Sequence, residues 1–167
     1  VFVCIFPTGS CHSRQIMASV IATAVRGQTK MKRLSDELTV SPQLPIEAID
    51  EIAKAGFKTV ICNRPDDEDP GQPSFAEIAA KAEAAGMKAI FQPVASGNVA
   101  DADADAFAAN LAAAPKPVFA YCRSGTRCTI LWSLASAGKL PVQDIIKSAS
   151  DAGYDMSPLV PRISARG

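Results

Sequence analysis

Residues 121–128 read Tyr-Cys-Arg-Ser-Gly-Thr-Arg-Cys and follow the apolar residues Val118, Phe119 and Ala120. A cysteine, two arginines, two hydroxyl residues and a glycine so close together suit neither a core nor an ordinary solvated loop. If a helix starts near Arg127, the turn before it offers free backbone N–H groups and the positive end of the helix dipole. Gly125 permits the backbone angles that turn such N–H groups inward, and Arg123 and Arg127 add full positive charge. A Cys122 thiol in that nest ionises below its ordinary range, because the thiolate is the anion the nest stabilises. The nest also holds a tetrahedral oxyanion against the sulfur. Arg123, Ser124, Gly125, Thr126 and Cys128 are the candidate binding residues, and Cys122 and Arg127 the candidate catalytic ones. Two reactions use a thiolate so placed: attack on phosphorus, giving a phosphocysteine, and attack on sulfane sulfur, giving a persulfide.

The rest of the chain narrows the choice. Its single histidine, His12, lies near the N-terminus, which argues against a Ser-His-Asp or Cys-His catalyst and a multi-histidine metal site. No metal and no organic cofactor is implied. Basic and acidic residues balance at 17 each, so no global field draws the protein toward nucleic acid or membrane. The five cysteines are odd in number and lack a CxxC pair, which fits a reduced, cytoplasmic protein. No apolar run reaches membrane-spanning length. Ala22-Thr23-Ala24 resembles a signal cleavage site, but the first 13 residues carry no Lys or Arg. Residues 1–30 are expected to form a poorly structured extension, with the folded domain over 31–167.

The elements that would position the loop alternate along that domain. Leu38, Thr39 and Val40 form a short extended piece. Residues 45–55 have apolar positions at helical spacing, with Pro45 near the start and Gly56 at the stop. Residues 57–62 are strand-like, and 64–73 form a polar loop. Ser74 followed by Glu77 reads as a capping box opening a helix to about Ala85. A strand over 87–94, a helix over 101–114, the strand 118–122, and helices over 127–137 and 141–152 follow. The tail after Tyr154, with Pro158 and Pro161, is expected to be irregular. This alternation predicts a single α/β domain with a four- or five-stranded, mainly parallel sheet flanked by helices. Ligands of such sheets sit at the carboxyl ends of the strands, where Asn63-Arg64-Pro65-Asp66, Ser96-Gly97-Asn98 and Cys122 all fall.

The loop 121–127, together with Val60-Ile61-Cys62-Asn63-Arg64-Pro65-Asp66-Asp67-Glu68, resembles the phosphatase-like domain of bacterial beta-lactamase hydrolase-like proteins. The resemblance covers about 31–145 and implies a fold like that of the dual-specificity protein tyrosine phosphatases. It also implies a cysteine-dependent phosphatase or, in some members, rhodanese-like sulfur transfer. Tyrosine phosphatases place the arginine six residues after the nucleophile; here Arg127 is five after Cys122. Cys-Arg-Ser-Gly-Thr-Arg therefore also resembles a rhodanese loop, although no His-Ile-x-Gly-Ala segment follows the first strand-helix unit. Cys128 stands where the family usually has Ser, which removes a hydroxyl that could help a phosphocysteine leave.

A phosphatase also needs a proton donor for the leaving oxygen. Asp101 or Asp103, after the second long strand, are candidates, and Asp66 or Asp67 are rivals; Asp101 is the catalytic acid expected here. Charge at a helix N-terminus is its competing role. Arg64 is expected to pair with Asp67 or Glu68, or to reach the oxyanion. The expected reaction is hydrolysis of a phosphate ester on a small molecule or protein. A sulfurtransferase using a thiosulfate-like donor is the alternative. A redox-sensing or anion-binding module, with Cys122 and Cys128 forming a reversible disulfide, is a third reading.

Overall fold

The computed structural model describes residues 30–167, so the expected extension lies outside the described residues up to position 29. Five strands form one sheet: β1 (Lys32–Arg33), β2 (Leu38–Ser41), β3 (Thr59–Cys62), β4 (Lys88–Phe91) and β5 (Val118–Tyr121). Their order is β1-β2-β5-β3-β4. All pairings are parallel except that of β1, a short edge strand antiparallel to β2. Among the described residues six helices accompany them: α1 (Ala48–Lys54), α2 (Phe75–Ala84), α3 (Asp101–Ala113), α4 (Thr126–Ala135), α5 (Val142–Asp151) and α6 (Val160–Arg166).

The reason for this layering is visible in β5, the central strand. All four of its residues are buried, as a strand covered on both faces requires. Val118, Ala120 and the following Cys122 join the core that includes Cys128, Leu131 and Leu134 of α4. Phe119 and Tyr121 join the opposite core with Ile49 and Ile52 of α1 and Ile78 of α2. The two-residue period of the strand thus sends Cys122 to the α4 side. Burying a large side chain such as Phe119 or Leu131 contributes roughly 1.5–3 kcal/mol, so the register of β5 is strongly fixed. Helix α4 is buried from Arg127 through Ala135 except at the half-buried Ile130, the signature of a helix enclosed by its neighbours.

The capping box at α2 forms as expected. Glu77 N–H donates to Ser74 Oγ at 3.3 Å, and Ser74 N–H donates to Glu77 Oε2 at 2.8 Å. Strand β3 starts at Thr59 rather than Phe57, because Phe57 turns into the core and packs edge-on against Phe119 with ring centroids 5.3 Å apart. The tail is not irregular: Ser157–Leu159 form a 3₁₀ turn and α6 follows. Pro161 occupies the first turn of α6, where its missing N–H costs nothing. Ile163 is buried against the α4 side of the molecule.

Candidate active site

The parallel sheet brings the ends of β2, β3 and β5 to one edge. Cys122 N–H donates to the Ser41 carbonyl at 3.3 Å, and Asn63 N–H donates to that of Tyr121 at 2.9 Å. The pairing therefore holds Cys122 one residue beyond the strand. The chain then turns at Gly125, whose φ of +88° lies in the left-handed region, and enters α4 at Thr126. A Cβ at position 125 would overlap the Tyr154 hydroxyl and approach Tyr154 Cζ to 2.9 Å. Only glycine meets both the angle and the space.

The turn aims polar groups at the sulfur. Gly125 N–H donates to Cys122 Sγ at 3.1 Å. Cys122 is 1% exposed, and burial alone would raise its pKa. Hydrogen bonds outweigh burial: first the Cys128 thiol, then the backbone N–H groups of Cys128, Ser124 and Gly125. They bring the thiol down to about 5, so the thiolate dominates at neutral pH. Cys128 is fully buried, and that burial pushes its own thiol well up. It thus stays protonated and able to donate. Among the residues expected to bind substrate, Arg123 and Ser124 are exposed, Thr126 is half-buried, and Cys128 is sealed from solvent. Ser124 Oγ donates to Thr126 Oγ1 at 3.1 Å.

Arg127, 6% exposed, is pinned across the sheet edge. Nη1 donates to the Asn63 carbonyl at 2.9 Å, and Nη2 to Glu68 Oε1 at 2.7 Å. Glu68 Oε2 accepts from Arg64 Nε at 2.8 Å. Burial pushes the Glu68 carboxyl up, but the two arginines outweigh it and hold the pKa below its ordinary value. Arg64 also pairs with Asp69 and donates to Gln43 Oε1 at 2.8 Å. Arg64 thus anchors the acidic loop rather than an oxyanion. Asp69 also forms an ion pair with Arg123, 3.2 Å from its Nε.

Three of the four candidate acids are engaged elsewhere. Asp101 accepts from Arg162 Nε at 2.9 Å and also pairs with Arg166, both on α6. Arg162 first, with Arg166, holds its carboxyl below the ordinary range. Asp103 accepts the Ala100 N–H at 2.8 Å, closing the first turn of α3, and Asp66 accepts the Phe75 N–H at 2.8 Å at the start of α2. Asp67 is exposed, with a φ of 61°.

One contact and one residue of the site were not anticipated: the pairing of Arg64 with Glu68 was expected and forms, but the reach of Glu68 to Arg127 and the part played by Tyr154 were not. Glu68 belongs to the acidic loop, but its bridge to Arg127 spans 59 positions, and no local pattern announces it. Tyr154 donates from its hydroxyl to the Ser124 carbonyl at 3.2 Å. Its only sequence signal is its place just after Gly153, at the end of a helix.

Residues 30–139 match the family described as beta-lactamase hydrolase-like protein, phosphatase-like domain. The chain belongs to this family. A beta-lactamase hydrolase-like protein of Agrobacterium fabrum is 37% identical over 129 residues, 76% of this chain and 30% of the relative. The chain therefore spans under a third of that relative's length. A solved structure from Neisseria meningitidis, provisionally named a phosphatase, is 37% identical. It covers 84% of this chain and all of its own, with a TM-score of 0.75. A kinase-associated phosphatase crystallised with its catalytic-site cysteine replaced by serine is 12% identical, with a TM-score of 0.63 over 82% of this chain and 92% of its own. That likeness speaks for the fold alone, which is that of the protein tyrosine phosphatases. Family and fold together mark a phosphatase-like domain. No described helix is long and apolar enough to cross a membrane.

Proposed function

We propose that the domain hydrolyses phosphate esters with Cys122 as the nucleophile. The observation that carries this reading is the Cys122 sulfur accepting the Gly125 N–H at 3.1 Å in the turn before a buried helix, at an edge where Arg127 is buried and fixed; the same surroundings hold its thiol down to about 5. The thiolate attacks phosphorus and the bond to the leaving oxygen breaks, giving a phosphocysteine. The N–H groups of the turn and the Arg127 guanidinium neutralise the charge on the phosphoryl oxygens. Water then attacks phosphorus and the sulfur departs as a thiolate. The Cys128 thiol is the largest of the influences that hold the Cys122 thiol down, so in this reading it stabilises the departing thiolate where the family usually has a serine hydroxyl.

The leaving oxygen is the less provided-for end of the reaction. Asp101 serves as acid only when Arg162 and Arg166 release it, so esters of acidic alcohols, such as aryl phosphates, are hydrolysed best. A structure of a Pseudomonas aeruginosa relative, 17% identical with a TM-score of 0.57, holds phosphotyrosine, an ester of this kind. The alternative, sulfur transfer through a Cys122 persulfide, is favoured by the same observation, since it needs no proton donor. The thiolate would attack the outer sulfur of thiosulfate and expel sulfite.

Paired assays on the purified protein separate them: phosphate release from an aryl phosphate, and thiocyanate formation from thiosulfate and cyanide. Phosphate release is expected, and Cys122→Ser is expected to lower it by on the order of 10⁴-fold or more. Thiocyanate formation without phosphate release would replace the first reading by the second. Turnover that survives Cys122→Ser would remove this cysteine from both.

A further inference from the structure

The Ser124–Gly125 peptide is held from both ends. Its N–H donates to Cys122 Sγ at 3.1 Å, and its carbonyl accepts from the Tyr154 hydroxyl at 3.2 Å. In a planar trans peptide the N–H and the C=O point to opposite sides, so fixing one fixes the other. Gly125 itself does little to fix it, because a residue without Cβ tolerates both orientations of the peptide before it. The Tyr154 side chain also lies where a Cβ of residue 125 would be, so the ring fills the space left by the glycine. Tyr154 reaches this position from the far end of α5, where its own N–H donates to the Ala149 carbonyl at 2.9 Å.

We propose that Tyr154 is a positioning residue whose hydroxyl locks the Ser124–Gly125 peptide with its N–H aimed at the Cys122 sulfur. The Tyr154 phenol is pushed up to about 12, by burial first and then by the charge of the Cys122 thiolate. It therefore keeps its proton and donates throughout the range in which Cys122 titrates. The other titratable groups that feel this sulfur are Cys62 from β3 and Cys128 from α4, both raised by burial. Neither competes for the Ser124 carbonyl. The inference rests on an ionised Cys122 and holds whether the thiolate attacks phosphorus or sulfur.

The test is the pH dependence of iodoacetamide alkylation of Cys122 in wild-type and Tyr154→Phe protein, read by mass spectrometry. Trypsin cleavage after Arg123 and Arg127 puts Cys122 and Cys128 on separate peptides. Loss of the hydroxyl is expected to raise the Cys122 midpoint by about half a pH unit or more, roughly a threefold loss of thiolate at a pH below both midpoints. Tyr154→Leu, which lacks the hydroxyl but keeps an apolar side chain, is expected to shift it at least as far. An unchanged midpoint in folded Tyr154→Phe overturns the proposal, as does a shift in Tyr154→Leu alone, which would assign the effect to the ring. Wild-type protein gives an independent reading. Its Gly125 amide resonance is expected to move through the Cys122 midpoint, and a Gly125 amide indifferent to that titration also overturns the proposal. None of these readouts requires turnover, so failure of the proposed reaction and failure of this inference are distinguishable.

Discussion

Helices α3 and α4 both start at the carboxyl edge of the same sheet, yet their first turns are built in opposite ways. Helix α3 carries Asp101 and Asp103 there, and its own carboxylate closes it by accepting the Ala100 N–H. Helix α4 carries no acid in its first turn and holds Arg127 instead, a charge that opposes the helix dipole. The positive end of α3 is compensated from within, and Asp101 and Asp105 use their remaining charge to tie down Arg162 and Arg166 of α6. The positive end of α4 is met by the Cys122 thiolate, by Glu68 reaching across from the loop after β3, and by a 3.4 Å hydrogen bond from the Thr126 N–H to Ser124 Oγ, with no carboxylate of its own. A helix end left open in this way suits an anion that comes and goes, whereas a closed one serves as structure.

The largest way to break this contrast is to close the α4 end by force. Gly125→Ala puts a Cβ against Tyr154 in a left-handed backbone. Phosphatase turnover is expected to fall on the order of 100-fold. Stability is expected to drop by about 1–2 kcal/mol from the strained angle alone, measured by urea denaturation.

A smaller effect is expected from the donors around the sulfur. In wild type the thiol must ionise to attack, so kcat/KM is expected to rise with pH through about 5. Cys128→Ala removes the first of the groups that hold this value down, and the acid limb is expected to move upward by roughly a unit. Cys128→Ser keeps a donor and is expected to move it less. The sign also applies to folding: a thiol depressed from its ordinary 9.0 to about 5 contributes stability in full above pH 9 and loses it as pH falls through 5. An acid limb that stays in place in Cys128→Ala would leave the backbone N–H groups as the sole cause.

The smallest effect belongs to α3. Asp101→Asn removes an exposed carboxylate engaged by Arg162 and Arg166, and aryl phosphate hydrolysis is expected to change by less than about threefold. A loss of a hundredfold or more would restore Asp101 as the acid and make the arginine pairing a resting arrangement that opens.

The contrast between the helices was only half legible in the sequence. Cys122, Gly125 and Arg127 stand within six residues at a strand-to-helix turn, and such local geometry is written in local residue types. The capping box at Ser74 and Glu77 is legible for the same reason. The pairing of Glu68 with Arg64 is legible too, four positions apart; its bridge to Arg127, and Tyr154, are not, because each meets the loop only after the sheet has closed. Tyr154 lies 30 positions from the carbonyl it holds. Helix α6 escaped because Pro158 and Pro161 suggest a broken tail, whereas Pro161 is tolerated in a first turn. Asp101 was legible as charge, but its partner Arg162 lies 61 positions away on that same unexpected helix.

The enclosure of α4 has a consequence for how the protein fails when heated. The turn that carries Cys122 is continuous with a helix buried through Ala135, so it cannot open without exposing the centre of the domain. Local openings that fray exposed segments leave such a turn intact. Inactivation by heat and loss of the helical signal should then follow one curve, and the Gly125 amide, buried and held by the Cys122 sulfur, should exchange with solvent far more slowly than that of the exposed Arg123.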